Sequence, residues 1–116
     1  MPLVVTPTEI ADVLLITSPI HRDGRGFFAE LFSERDWRTT GAAVSFVQDN
    51  LSCSNRGTLR GMHYQIEPHG VGKLVRVLRG AVYDVAVDLR RGSPTFGKWA
   101  GRTLTGQEGT AMWLPS

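Results

Sequence analysis

The sequence predicts an all-β fold, a sandwich or barrel of short antiparallel strands, with one short helix near residues 33–40. Three observations predict it. Apolar and polar residues alternate with period two, most cleanly over 81–89, where Ala81, Tyr83, Val85, Val87 and Leu89 oppose Val82, Asp84, Ala86 and Asp88. Such segments recur at a spacing of about 8–12 residues and are divided by glycine turns such as Arg79-Gly80 and Arg91-Gly92. The clearest helix signal is Ser33-Glu34-Arg35-Asp36-Trp37, where a serine N-cap precedes acidic residues and Gly41 ends the turn.

Taken in order, residues 1–12 mix Pro2, Pro7, Glu9 and Asp12 and read as a leading arm, with a short extended piece over 3–6. Residues 13–17 are β-branched and aliphatic and form a strand closed by Ser18-Pro19. The polar, glycine-rich stretch 21–26 reads as a loop, and 27–32 as a strand with Phe28, Glu30 and Phe32 on one face. After the helix, 44–54 alternates again, Asn55-Arg56-Gly57 turns the chain, and 58–65 is a strand. A loop over 68–72 leads to strands at 73–78, 81–89, 98–104 and 110–114. No internal repeat is present. The chain leaves its last apolar strand at Trp113-Leu114-Pro115-Ser116. A single β domain over 1–116 is therefore expected to be incomplete at this end, its sheet finished by a partner chain or by further residues.

Composition narrows the function classes. With 116 residues, 41% hydrophobic and 21% charged, the chain has the make-up of one soluble domain. A net charge of +2 with dispersed basic residues argues against nucleic acid. One cysteine, Cys53, excludes an internal disulfide and fits a reducing compartment. The apolar run Val13-Leu14-Leu15-Ile16 is too short for a leader or a membrane span, so a cytoplasmic protein is expected.

The stretch that organises the chain is Gly57-Thr58-Leu59-Arg60-Gly61-Met62-His63-Tyr64-Gln65, followed by Lys73 at the head of the next apolar run. Glycine and charge are both costly inside a strand, and such local conflicts mark functional sites. Alternation puts Leu59, Gly61, His63 and Gln65 on one face, suited to lining a cavity. Gly61 allows a close approach or a bulge, and a bulge would swing Arg60 toward His63. Histidine moves protons near neutral pH, and a lysine beside Val75 and Val77 offers a positive charge in a low-dielectric pocket for an oxyanion or enolate. Together they describe proton abstraction next to a carbonyl. Arg25, Arg60 and Arg22 are candidates for an anionic group such as phosphate, and Phe27, Phe28 and Phe46 for a stacking surface.

Plainer readings compete. A lone strand histidine is more often a hydrogen-bonded structural residue, and Lys73 alone reads as an edge lysine that discourages sheet association. Glu30 between phenylalanines reads as a buried acid paired with an arginine. A metal site is not expected. Gly57-x5-His63 begins like the cupin metal motif, but Gln65 stands where a second histidine is required, and Glu67 does not replace it.

The strings Asp23-Gly24-Arg25-Gly26-Phe27-Phe28-Ala29-Glu30, Gln48-Asp49-Asn50-Leu51-Ser52, Leu59-Arg60-Gly61-Met62-His63-Tyr64-Gln65, Lys73-Leu74-Val75 and Ser93-Pro94-Thr95-Phe96-Gly97 stand in an order and spacing that closely resemble the dTDP-4-dehydrorhamnose 3,5-epimerase family, over about 19–116. The resemblance implies a cupin-type antiparallel β-roll, or jelly roll, forming a homodimer by exchange of N-terminal strands. It implies a dTDP-4-keto-6-deoxyhexose substrate, with no cofactor and no metal. By motif, His63 matches the base that removes the C3 and C5 protons and Lys73 the group that stabilises the enolate. Arg25, Glu30, Gln48, Asn50 and Arg60 match the nucleotide and diphosphate contacts, some of which reach across the dimer. The family's tyrosine acid and the acidic partner of its histidine have no counterpart in these residues, and Tyr64 and Tyr83 do not match the acid's position.

Overall fold

The computed structural model describes residues 2–42, 44–67 and 69–116; Met1, Ala43 and Pro68, the first residues of the leading arm and of the expected 68–72 loop among them, lie outside the described residues. Eight strands are described: β1 Val4–Pro7, β2 Leu14–Thr17, β3 Ile20–Asp23, β4 Gly26–Ala29, β5 Lys73–Arg76, β6 Ala81–Val87, β7 Trp99–Thr105 and β8 Thr110–Leu114. One short helix, α1 Glu34–Trp37, runs into a 3-10 turn at Arg38–Thr40. The all-β class and the helix near 33–40 thus stand as the sequence predicts. Ser33 caps α1 by accepting from the Asp36 amide, and Gly41 follows in the left-handed conformation.

All pairings are antiparallel. The central sheet has the order β1-β2-β8-β5, and β3–β4 and β6–β7 are two-stranded hairpins. The register lines up Leu15, Met112 and Val75 across one face of the central sheet. That face packs with Ile10, Val13, Ala86, Ala100 and Leu104, so β6–β7 covers it. The opposite face carries Ile16, Leu74 and Trp113 and is covered by Trp37, Val44 and Phe46. Its aromatic rings meet edge to face, Trp37 lying 5.3 Å from Trp113 and 5.2 Å from Phe46. Two layers on one sheet give the roll its core.

The face that β6 turns inward is the acid-bearing one. Ala86 and Asp88 are buried, while Tyr83, Val87 and Leu89 are exposed. Asp88 survives there because donors surround it. Its carboxylate accepts from the Arg90 amide and Nε, both at 3.0 Å, from Arg90 Nη2 at 3.1 Å and from Ser93 Oγ at 2.6 Å. Thr95 Oγ1 completes the set at 2.5 Å. Arg90 reaches on to Asp12 at 2.6 Å and ties the leading arm to this turn.

Two expectations need correction. The stretch expected as a loop over 21–26 is mostly strand, because Ile20–Asp23 pairs with Gly26–Ala29 and only Gly24 and Arg25 turn. The expected strands over 44–54 and 58–65 are not strands among the described residues. Their alternation is real, but a strand exists only where its N–H and C=O groups find a ladder, and among the described residues these segments pair with no other strand. Val47, Leu51 and Leu59 consequently stand 96%, 81% and 92% exposed. Gly61, expected to permit a bulge, has φ +135°, a conformation side chains disfavour.

Candidate active site

Lys73 opens β5 opposite Leu114 of β8 and, by alternation, lies on the face of the central sheet that β6–β7 covers. Standing at the strand's first position, it is exposed. Asp84 lies on the inward face of β6, two residues before buried Ala86. Burial pushes its carboxyl above the usual range, against the opposing pull of the Val85 amide and the Lys73 charge. Its Oδ2 is buried with no hydrogen-bond partner among the described residues. Arg102 stands directly across the hairpin but turns away, donating to Glu9 at 3.1 Å and to the Gly101 carbonyl at 2.8 Å. The result is a partly desolvated carboxylate within the field of an ammonium, an arrangement that orients a cation or holds a proton.

Asp84 is the functional candidate that sequence reasoning missed. The alternation over 81–89 does not say which face is buried, and the apolar face is the natural guess. The available signal was Ala86, the small residue flanked on its own face by two acids, with Leu104 and Ala100 aligned across the hairpin.

The predicted binding residues divide between two regions. The β3–β4 hairpin carries Arg25, whose guanidinium pairs with Asp23 at 2.8 Å and keeps that carboxyl below its ordinary range. Glu30 follows β4 and is half-buried. Around the hairpin His21, Arg22, Arg25, Phe27 and Phe28 line an open groove of about 450 Å³, with the Arg22 guanidinium 5.5 Å from the Phe27 ring centre. Gln48, Asn50, Arg60 and His63 lie on the irregular segment. Gln48 Nε2 donates to Asn50 Oδ1 at 3.3 Å, and Arg60 Nε to Ser54 Oγ at 3.0 Å.

His63 is exposed, and among the described residues no hydrogen bond or ion pair joins it to Lys73. The dry pocket expected around the two is not enclosed by the described residues, where both side chains stand exposed. The larger cavity, about 570 Å³ between Thr40, Val44, Gly72 and Trp113, contains none of these site residues. Among the described residues no group of three His, Cys, Asp or Glu side chains could hold a metal ion, and no helix is long and apolar enough to cross a membrane.

The antiparallel central sheet layered by hairpins, together with the fold of its structural neighbours, makes this a cupin-type β-roll. A sequence model described as dTDP-4-dehydrorhamnose 3,5-epimerase matches residues 7–116. The chain belongs to that family. It is 50% identical over 112 residues to the dTDP-4-dehydrorhamnose 3,5-epimerase of Shigella flexneri, covering 96% of this chain and 62% of that protein. Its structure resembles the Bacillus anthracis enzyme crystallised with TDP and PPi, with a TM-score of 0.93, 40% identity and coverage of 98% of this chain and 66% of that one. It equally resembles the Legionella pneumophila enzyme in complex with dTDP-4-keto-L-rhamnose, with a TM-score of 0.93, 45% identity and coverage of 98% and 61%. The chain thus spans less than two thirds of the length of these relatives.

Proposed function

We propose that the protein epimerises dTDP-4-dehydro-6-deoxyglucose at C3 and C5 to dTDP-4-dehydro-L-rhamnose, a step of deoxysugar biosynthesis. The observation that carries this reading is the match of residues 7–116 to the epimerase family, at a TM-score of 0.93 to a structure holding dTDP-4-keto-L-rhamnose.

A C–H bond beside a ketone is a weak acid, so a base and a fixed positive charge must act together. His63 takes the proton, and the electron pair moves into the C4 carbonyl as an enolate. Lys73 meets the developing oxyanion. Asp84 holds the ammonium by its charge, as their mutual field supports. Return of a proton from the opposite face inverts the carbon, and the donor comes from outside residues 1–116. Arg25 and Arg60 hold the diphosphate, with Glu30, Gln48 and Asn50 on the nucleotide. Neither metal nor organic cofactor enters these steps.

The roll is completed, in this reading, by strands that pair with 44–66. The exposed apolar residues there support it. Homodimerisation through β1 is part of the same proposal, because β1 is an edge strand with all four residues exposed. A cytoplasmic setting fits the free, exposed Cys53.

Solvent deuterium incorporation into the 4-keto sugar by the full-length natural protein tests the reading. Label at both C3 and C5 is expected. Label at one carbon identifies a single-site epimerase or ketoisomerase, and binding without label a non-catalytic sugar-nucleotide roll. His63→Asn is expected to slow exchange by about 10²–10⁴, the usual contribution of a general base, while leaving dTDP affinity within about tenfold. Exchange that survives the substitution removes His63 from the role of base.

A further inference from the structure

The β3–β4 hairpin, which carries Arg25 and leads into Glu30, is attached to the body of the protein at its base, and the attachment converges on one carbonyl. Gly109, in the turn between β7 and β8, accepts from the Ser18 amide at 2.9 Å, where the chain enters the hairpin. The same Gly109 oxygen accepts from Arg76 Nη1 at 3.3 Å. Arg76 Nη2 donates to the Leu31 carbonyl at 3.0 Å, where the chain leaves the hairpin. A single guanidinium therefore joins the two ends of the hairpin to each other and to β5. Farther out, Arg22 Nη2 donates to the Gln107 carbonyl of the same turn at 2.9 Å.

The fit at this junction is close. Gly109 has φ +68°, and a Cβ there would come within 2.7 Å of the Ser18 carbonyl and 3.0 Å of the Ile20 side chain. Arg76 is half-buried, and that burial lowers its pKa from the ordinary arginine value. A cation held partly out of water for two backbone carbonyls is an expensive tie. It is retained where geometry matters, and the rigid planar fork of arginine presents separate donors to the two carbonyls in fixed directions. Arg76 is also three residues from Lys73 on the same short strand.

We propose that Arg76 is a positioning residue for nucleotide binding: it staples the base of the β3–β4 hairpin to β5, so that the groove of Arg25, Phe27 and Phe28 and the acid Glu30 are held in fixed relation to Lys73. The groove's chemistry, a guanidinium beside aromatic faces, suits the phosphate and base of a nucleoside diphosphate. This assignment of a ligand rests on the proposed function above; the staple itself rests on the hydrogen bonds.

Arg76→Met and Arg76→Lys in the full-length protein test it, with dTDP as the probe. Two quantities are read: hydrogen-exchange protection of amides over 20–32 relative to those of β2 and β8, and dTDP affinity by calorimetry. Arg76→Met is expected to speed exchange over 20–32 at least tenfold with β2 and β8 unchanged, and to weaken dTDP binding at least tenfold. At saturating substrate, deuterium incorporation should stay within threefold of wild type, since the reacting groups are untouched. Arg76→Lys, reaching one carbonyl only, should fall between. Uniform loss of protection with unchanged dTDP affinity would overturn the proposal and leave Arg76 a stability residue. So would a loosened hairpin that binds dTDP normally. If the wild-type protein bound no dTDP, the sugar-nucleotide reading would fail and the positioning role with it. That outcome is distinguishable because the hairpin's protection would still respond to Arg76→Met.

Discussion

Replacing Asp88 by Asn isolates the strongest polar anchor in the structure. The Asp88 side chain is fully buried and receives five donors, three of them from Arg90 and one each from Ser93 and Thr95. In the variant the amide oxygen must face the Arg90 amide and Nε, which cannot act as acceptors. The amide NH₂ then faces Arg90 Nη2 and the two hydroxyls. The hydroxyls can rotate to accept, but Nη2 cannot. One charge-assisted bond and the ion pair are lost. Arg90 is 40% exposed and keeps Asp12, so the cost falls at the low end for one-sided removal of a buried pair, about 3 kcal/mol. At about 3–4 °C per kcal/mol for a domain of this size, Tm should drop by roughly 10 °C. The loss depends on pH. Hydrogen bonds from Arg90, Ser93 and Thr95 hold the native carboxyl far below the carboxylate range, so the stabilisation is present above the unfolded pKa of about 3.9 and is lost as pH falls below it. Each unit below that point removes about 1.4 kcal/mol from the wild type and nothing from Asp88→Asn, so their gap should shrink by about 2 kcal/mol between pH 6 and pH 2.5. Denaturant unfolding of the full-length protein at the two pH values measures both. A loss under about 1 kcal/mol at neutral pH, or a gap that does not change with pH, would refute the reasoning.

Two further outcomes follow from the same structure. Asp84→Asn should lower the rate of deuterium incorporation by about tenfold or more through loss of the charge that faces Lys73, yet leave Tm unchanged or raised. Because burial raises the Asp84 pKa, its favourable contribution is present at low pH and lost as pH rises through the native value, so any stability advantage of the variant should widen toward neutral pH; full activity with unchanged stability would remove Asp84 from the site. Leu104→Ala, in the core between β6–β7 and the central sheet, should cost about 2–5 kcal/mol by urea titration with m unchanged, and a loss below 1 kcal/mol would show that this layer is not packed as described.

Much of the fold was legible in the sequence because its signals are local. Alternation over 81–89 and 110–114, the Ser33 cap and Gly41 each act within a few residues, and the structure places strands and helix there. What was illegible is non-local. The stretch 44–66 has the alternation of strands but no ladder partner among the described residues, and pairing is not written in the segment that seeks it. At 20–29 the glycine-rich centre hid a hairpin whose tight Gly24-Arg25 turn is its reason for existing. The burial of Asp84 and Asp88 was hidden for a third reason. Alternation defines two faces but not which one meets the core, and here Ala86, small enough to let Ala100 and Leu104 pack closely, decides the matter.

The candidate site shows the same division. Residue type pointed to His63, Lys73 and the arginines, because proton transfer, oxyanion stabilisation and phosphate binding each need particular chemistry. What residue type could not supply was relative position. Lys73 and Asp84 come together because β5 lies in the central sheet and β6–β7 covers that sheet's face, a consequence of the chain leaving β5 for the β6–β7 hairpin before β8 returns to pair with β5. Arg25 and Glu30 are tied to the strand of Lys73 through the Arg76 bridge to Leu31 and Gly109, with Ser18 and Arg22 bound to the same β7–β8 turn. The candidate groups thus sit on two substructures with no hydrogen-bonded ladder between them among the described residues, and Arg76, which joins these pieces, is not itself one of the candidate groups. Substitution of such joining residues should therefore change how well the nucleotide is gripped before it changes how fast a proton moves.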